Sequence, residues 1–577
     1  MGSLRTPSAE TFPRQEKNGK CIPKLLNHFG QMFSRSACPS EKRNSRATSQ
    51  LVNGIECEPL RQGEAERQDD AYKDIDETTI QQSQRSQWMN KGFIVALLLA
   101  VLSLGINYVM WFTNAYDNAV LKLISIRNDI DTVFEMWKMP PTKTHLSVYI
   151  FNYTNHEAWL KGDDKVPHVK EIGPLVFREQ MERINIHFND NHTVSYQEKK
   201  TITFVPELTP IPLNTTIWVP NVLFIALMKL RFQNYAFYME QKVLQQFFDN
   251  DMKLFKNITL NQVIWGFEDD LLNFGTKFFS PGAKPPMYGF LAKRQGEHSD
   301  ILTMKTGHDD LSTIGSFTRW NGKKNIGAWG NTECDEIEGS DGTIFPANLV
   351  KEKKPLHVFL HDMCRTLPIF FNKSTTSVDG FPVHQYNVHE EMFNYQREEY
   401  SCFKRDGKHA PDGVFNTAPC HKDIPLYASF PHFWKGGDII KNHIVGLHPD
   451  AQKHRSYFQI HKDLGICLLA KMRFQLNIKF EKYIYMQFSE KVSQNEIILP
   501  FGWLDFDSGE LPENFVNVLY HLTFTVKTVK EILKYTFLLL FTLSLAFVGV
   551  FITKNVRRNA EYQLHTKNFF NKYACVD

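Results

Sequence analysis

Cys402, His409, Cys420 and His421 are residue types that hold zinc. Two thiolates and two imidazoles make a closed tetrahedral site if the thiols stay reduced. In an oxidising compartment the same cysteines form disulfides instead. His357 and His361 have the four-residue spacing of a metal-binding helix, but no glutamate follows the first histidine to act as a base. The stretch WGNTECDEIEGSDGTIFPA, Trp329 to Ala347, has the acidic and glycine content of a calcium loop. Counted from Asp335, the third ligand position falls on Ile337, which has no oxygen, so EF-hand chemistry fails there. WKGGD, Trp434 to Asp438, reads as a turn without the strand and helix flanks of a phosphate loop. No nucleophile elbow is present. The chain is therefore read as a non-enzyme without metal or cofactor.

The compartment decides the fate of the cysteines, and the membrane decides the compartment. Gly92 to Phe112 is an uncharged apolar run long enough to cross a bilayer, with Trp88, Tyr108 and Trp111 as interfacial aromatics. Tyr535 to Thr553 meets the same criterion and is followed by Lys554, Arg557 and Arg558. The 91 residues before the first run are polar, which makes it an uncleaved anchor rather than a signal peptide. Two spans put both tails, residues 1–91 and 554–577, on one side and residues 113–534 on the other. Glycosylation signals at Asn152, Asn191, Asn214, Asn257 and Asn372 all fall between the spans, which places that segment in the lumen or outside the cell. Cys334, Cys364, Cys402, Cys420 and Cys467 share that oxidising side, whereas Cys21, Cys38, Cys57 and Cys575 would be cytosolic and reduced. A net charge of +3 over 577 residues gives no reason to expect nucleic acid as a partner.

The elements follow from periodicity. The first 91 residues are poor in aromatics and read as a largely disordered tail. Within it Ile22, Leu25, Leu26, Phe29, Met32 and Phe33 take one helical face with basic neighbours, suited to an inner leaflet. Val120 to Trp137 approximates a helical stripe ending at Pro140. HLSVYIFNYT, GPLVFRE, TITFVPEL, LHVFL, FPVHQYNV, PLYASFPHF and LGICLLAKMRFQLNIKF are strand-like. Between them, residues 222–255 lack Gly and Pro and place Leu244, Phe247, Phe248, Met252 and Phe255 on one helical face. This is an α+β pattern, mainly antiparallel strands with a helical insertion. The alternation in AKMRFQLNIKF implies one wet and one buried face. The 46 phenylalanines serve a core or an apolar cavity equally well.

FEMWKMPP, FNYTN, EIGPLVFRE, WGFEDD, RWNGKKNIGAWG, CDEIEGSDGTIFPA, HDMCRTL, SFPHF, GLHPDAQKHRSYFQI and LPFGWLD together resemble the class B scavenger receptor family, in an insect-type member. The resemblance implies a two-pass membrane protein with a barrel-like antiparallel ectodomain, a helical apex bundle that includes residues 222–255, and a hydrophobic tunnel toward the bilayer. It implies disulfides Cys334–Cys402 and Cys364–Cys420, leaving Cys467 unpaired. At the apex it implies ligand-binding lysines, for which this chain offers Lys253 and Lys256, while Asp249 and Asp251 stand where lysines are expected. That departure disfavours capture of a fatty carboxylate and favours a neutral cargo such as a sterol or carotenoid. The implied protein is a plasma-membrane or endosomal/lysosomal receptor that binds lipids, lipoproteins or carotenoids. The alternative is a docking receptor for protein or apoptotic-cell ligands that conducts no lipid.

Overall fold

A computed structural model of the protein describes residues 91–129, 131–233, 254–269, 273, 287–330, 332–405, 407–421, 424–437, 443–481 and 496–573. The amphipathic tail stretch, Cys21, Cys38, Cys57, Cys575, Lys253 and residues 234–253 of the expected apex lie outside the described residues.

In chain order the strands are β1 (Thr144–Tyr153), β2 (Val169–Asn189), β3 (Thr193–Phe204), β4 (Thr216–Pro220), β5 (Phe255–Thr259), β6 (Gly296–Glu297), β7 (Leu302–Lys305) and β8 (Phe317–Trp320). They continue as β9 (Leu356–Leu360), β10 (Arg365–Thr376), β11 (Pro382–Val388), β12 (Val414–Asn416), β13 (Leu426–Ser429), β14 (Tyr457–His461), β15 (Cys467–Glu481) and β16 (Glu496–Asp507). Fourteen of them form one sheet in the order β8-β7-β3-β2-β1-β16-β15-β14-β11-β10-β9, with β6 on β3, β13 on β15 and β12 on β13. Its neighbours pair antiparallel, as the hairpin-like alternation requires. A sheet this wide curls under its own twist.

The acidic loop closes it. The Phe317 amide of edge strand β8 donates to Gly339 O (2.8 Å), the Ser340 amide donates to His357 O of edge strand β9 (3.0 Å), and the Phe359 amide donates back to Ser340 O (2.9 Å). Gly339 and Ser340 thus stitch the two edges together. The carboxylates around them tie down the loop: Asp335 accepts from the Ala328 and Trp329 amides (2.7 and 2.8 Å), and Asp341 pairs with buried Arg183. Gly339 has a φ of +81° and a Cβ there would stand 2.1 Å from His357 O. Gly339→Ala is expected to cost about 2–4 kcal/mol through strain and the displaced edge bond, read as reduced thermal stability of the purified protein; an unchanged transition would show the edges close without this loop.

The helix Lys91–Phe112 and the long helix that ends the described chain are the two candidate spans. They run antiparallel: Phe93 stacks on Phe551 at 4.8 Å, and Trp111 meets Tyr535 edge-on at 6.3 Å. The start of the first and the end of the second therefore lie together, as a two-pass chain requires. The second helix does not stop at Thr553 but continues to Tyr573. It is preceded by a π-helical turn, His521–Thr525, and by the helix Glu513–Tyr520.

Two helical expectations change. The stripe from Val120 to Trp137 is two helices, Ala115–Leu123 and Asp131–Lys138, because the Ile126 amide is taken by Thr306 O, just after β7 (3.0 Å). A tertiary backbone bond outweighs a weak local pattern. Val222–Gln233 is helical, but Phe255 opens strand β5, where its ring meets Tyr153 and Trp159.

Candidate functional site

β15 reverses the expectation that its polar face is wet. Arg473, Gln475 and Asn477 are only 7%, 1% and 0% exposed, whereas Met472, Phe474 and Leu476 on the other face are half-buried. The short turn Pro431–Phe433 lies against the polar face, and β13 pairs beside β15 in the same sheet. Gln475 Oε1 accepts from the His432 amide (2.7 Å), Asn477 donates to Ser429 Oγ (2.9 Å), and Arg473 pairs with Asp505 (3.0 Å). Every one of these groups has exchanged water for a protein partner, which makes their burial tolerable.

The apolar face continues across the ladder. Met472 is opposite Phe506 and Phe474 opposite Leu504. Those two face Leu146 and Val148 on β1, and Leu146 faces Phe177 on β2. Half-buried Leu504 and Phe506 thus extend the row begun on β15. At its end stands a charged group: Arg294 gives Nε and NH2 to Glu179, the second at 2.9 Å. Its guanidinium lies 5.9 Å from the Phe506 ring centroid, and its NH1 is 3.9 Å from Asp362 Oδ2. Nothing in the spacing of Glu179, Arg294 and Asp362 marked them as partners.

On the covered face Glu171 accepts from His432 Nε2 (2.6 Å) and from the Trp503 indole (2.8 Å). Desolvation would raise the Glu171 pKa; those bonds outweigh it and hold the carboxyl below its usual range. His454 stacks on His432 at 4.7 Å, and its Nδ1 accepts from the Asp450 amide. Burial and His432 push His454 down to about 4. His461 is likewise pushed down to about 4 by burial, with Lys462 and Lys527 acting against Asp463. Its Nδ1 accepts from the Asp463 and Leu464 amides, and its Nε2 bonds Thr523 in the π-helical turn.

Both imidazoles are neutral when folded and titrate near 6.5 when unfolded. Between those values the unfolded state binds more protons, so this stability is full above about 6.5 and falls as pH drops toward about 4. Each histidine contributes at most about 3 kcal/mol to that fall. His461→Gln is expected to flatten the dependence of the melting temperature on pH over this window; an unchanged slope would remove His461 as a source.

The structure joins Cys334 to Cys402 (Cα–Cα 5.9 Å) and Cys364 to Cys420 (6.0 Å). The zinc arrangement is thereby excluded, since its two cysteines sit in different bridges. Cys467 is the unpaired cysteine among the described residues. His357 lies in β9 and His361 opens a short 3-10 turn, so their spacing does not place them on a helix. Among the described residues no group of three or more His, Cys, Asp or Glu side chains is placed to hold a metal. Lys256 lies in β5, paired with Asp269 at 3.0 Å and 4.2 Å over the Phe267 ring. Asn191, Asn214, Asn257 and Asn372 are exposed, and Asn191 sits at the β2–β3 turn. Asn152 is half-buried, its side-chain oxygen accepting from the Trp218 amide (2.9 Å).

The chain matches the family model described as CD36 family over residues 94–552. That range begins inside the first apolar helix and ends inside the second. Lysosome membrane protein 2 of Homo sapiens is 30% identical over 393 residues, 67% of this chain and 80% of that protein. Scavenger receptor class B member 1 of Rattus norvegicus is 28% identical over 448 residues, 76% of this chain and 84% of that protein. These mammalian relatives speak to the family and not to an insect-type branch.

Proposed function

Because the chain belongs to the CD36 family, of scavenger-type membrane receptors, we propose that its barrel interior binds lipid and passes apolar cargo toward the bilayer. The observation that carries this reading is the inversion over residues 472–477 of β15, where Arg473, Gln475 and Asn477 are more deeply buried than Met472, Phe474 and Leu476. A sheet that hides Gln475 and Asn477 while leaving Phe474 and Leu476 half-covered supports a reading in which its apolar face lines a hollow. An apolar molecule filling such a space gains roughly 25 cal/mol for each Å² taken out of water. No covalent step is required, and the protein is proposed to act without enzymatic chemistry.

The proposed cargo is a fatty acid, sterol or carotenoid, delivered as free lipid or in lipoprotein. Lys256 weighs against a carboxylate ligand, since Asp269 already pairs with it. The proposed arrangement has both tails in the cytosol and the five sequons glycosylated outside it, in the plasma membrane or the endosomal/lysosomal membrane. Uptake of a labelled carotenoid and a labelled fatty acid by cells expressing the protein, measured beside binding of lipoprotein particles, tests the reading. Uptake of either lipid above control cells is expected. Particle binding without uptake would replace it by the docking receptor.

A further inference from the structure

We propose that Asp362 and Arg294 form a polar station inside the barrel that takes the hydroxyl group of a neutral lipid. This rests on the reading of the interior as a lipid site and names the head group it selects.

Asp362 lies in the turn that follows β9, with His361 Nδ1 3.3 Å from its Oδ1 and Arg294 NH1 3.9 Å from its Oδ2, in the field of Lys200 and His298 as well. Desolvation by the surrounding protein works to raise its pKa, yet 59% of its side chain is exposed. On the reading of the barrel interior as a lipid site, such a group lines the space that cargo would fill. Arg294 has the same character: it is strongly desolvated but 24% accessible. Its contact with Phe506 joins it to the apolar row of Met472, Phe474 and Leu504. The station therefore stands at the end of the surface along which an apolar chain would lie.

The distance selects the ligand. Asp362 Oδ2 and Arg294 NH1 are 3.9 Å apart, too far for a direct hydrogen bond. One oxygen about 2.8 Å from each fills that gap. A hydroxyl fits because it donates to the carboxylate and accepts from the guanidinium. An ether or ester oxygen accepts but offers the Asp362 carboxylate no donor of its own. A fatty carboxylate meets Asp362 with like charge, and the nearby cations are already engaged, Arg294 by Glu179 and Lys200 by Glu198 at 2.9 Å. Lys200, Arg294 and His361 outweigh desolvation and keep the Asp362 carboxyl below its usual range, so it remains an acceptor at neutral pH.

Full-length protein in nanodiscs would be titrated with radiolabelled hexadecanol, hexadecyl methyl ether and hexadecanoate, which share one chain and differ in the head. Hexadecanol is expected to bind at least about tenfold more tightly than the ether, the margin of one hydrogen bond to a charged group, and more tightly than hexadecanoate. Asp362→Ala should bring hexadecanol down to the affinity of the ether while leaving the ether unchanged, which also shows that the variant is folded. Equal affinity for alcohol and ether in the wild-type protein would overturn the station and leave the lipid-binding interior standing. Tighter binding of hexadecanoate would also overturn it. Binding of none of the three would remove the interior reading and the station with it.

Discussion

Replacing Cys364 or Cys420 with serine is expected to hold the protein in the secretory pathway and to lower its surface level by at least about tenfold. Cys364–Cys420 anchors the turn after β9 to the segment before β13. Beside the bridge the Trp329 indole donates to Cys364 O at 2.8 Å. The next residue, Arg365, is fully buried, with its guanidinium 4.1 Å from the Phe403 ring centroid and 4.6 Å from that of Phe415. It donates to Met392 O (2.6 Å), and desolvation lowers its pKa to about 10. Breaking the bridge loses about 2–5 kcal/mol and loosens the wall around a buried cation, which then draws water into the core. A loss of that size is a large part of a domain's stability and is met by retention and degradation. Cys467→Ala is the control. Its thiol is pushed up to about 12 by burial, so it is an inert small side chain, and its replacement should leave surface protein within about twofold. Equal surface levels for all three variants would show that the bridge does not hold the fold.

Closing the interior should separate lipid uptake from particle binding. Leu504→Cys, made in a Cys467→Ala background, places a thiol on the half-buried apolar face opposite Phe474. A bulky, membrane-impermeant maleimide would then occupy the space proposed for cargo. Uptake of labelled lipid is expected to fall by at least about tenfold, because a blocked path loses transport however favourable burial in it is. Binding of lipoprotein particles to the outer surface should persist. The unlabelled variant gives the baseline, and the expected cytosolic thiols are beyond the reagent's reach. If uptake and binding decline together, or if uptake survives complete labelling, cargo does not pass this face.

The strands were legible because their signal is local. LHVFL became β9 as Leu356–Leu360 and FPVHQYNV became β11 as Pro382–Val388, each a run of β-branched and aromatic residues between breakers. The apolar helices were equally plain from length alone. The acidic loop could be stripped of calcium chemistry by counting to Ile337, but its work as the seam of the sheet could not be read. Its partners, Phe317 and His357, are joined to Gly339 and Ser340 only through the pairing of distant edges.

β15 marks the boundary most sharply. Its alternation establishes that the two faces differ, since side chains in a strand point to opposite sides. Which face meets water depends on what lies across from each. Here the His432 turn lies against the polar side, β13 pairs beside it in the sheet, and Met472, Phe474 and Leu476 on the apolar side are left half-buried. Likewise Arg294, Glu179 and Asp362 are far apart in the chain and lie in a connecting segment, a strand and a turn, respectively. The sequence by itself determined the period of strands such as β9 and β11, the two apolar helices and the family, because those are properties of neighbours along the chain. Only the tertiary structure decided which groups share the interior, because burial and ion pairing are set by distances between elements that the chain order does not encode.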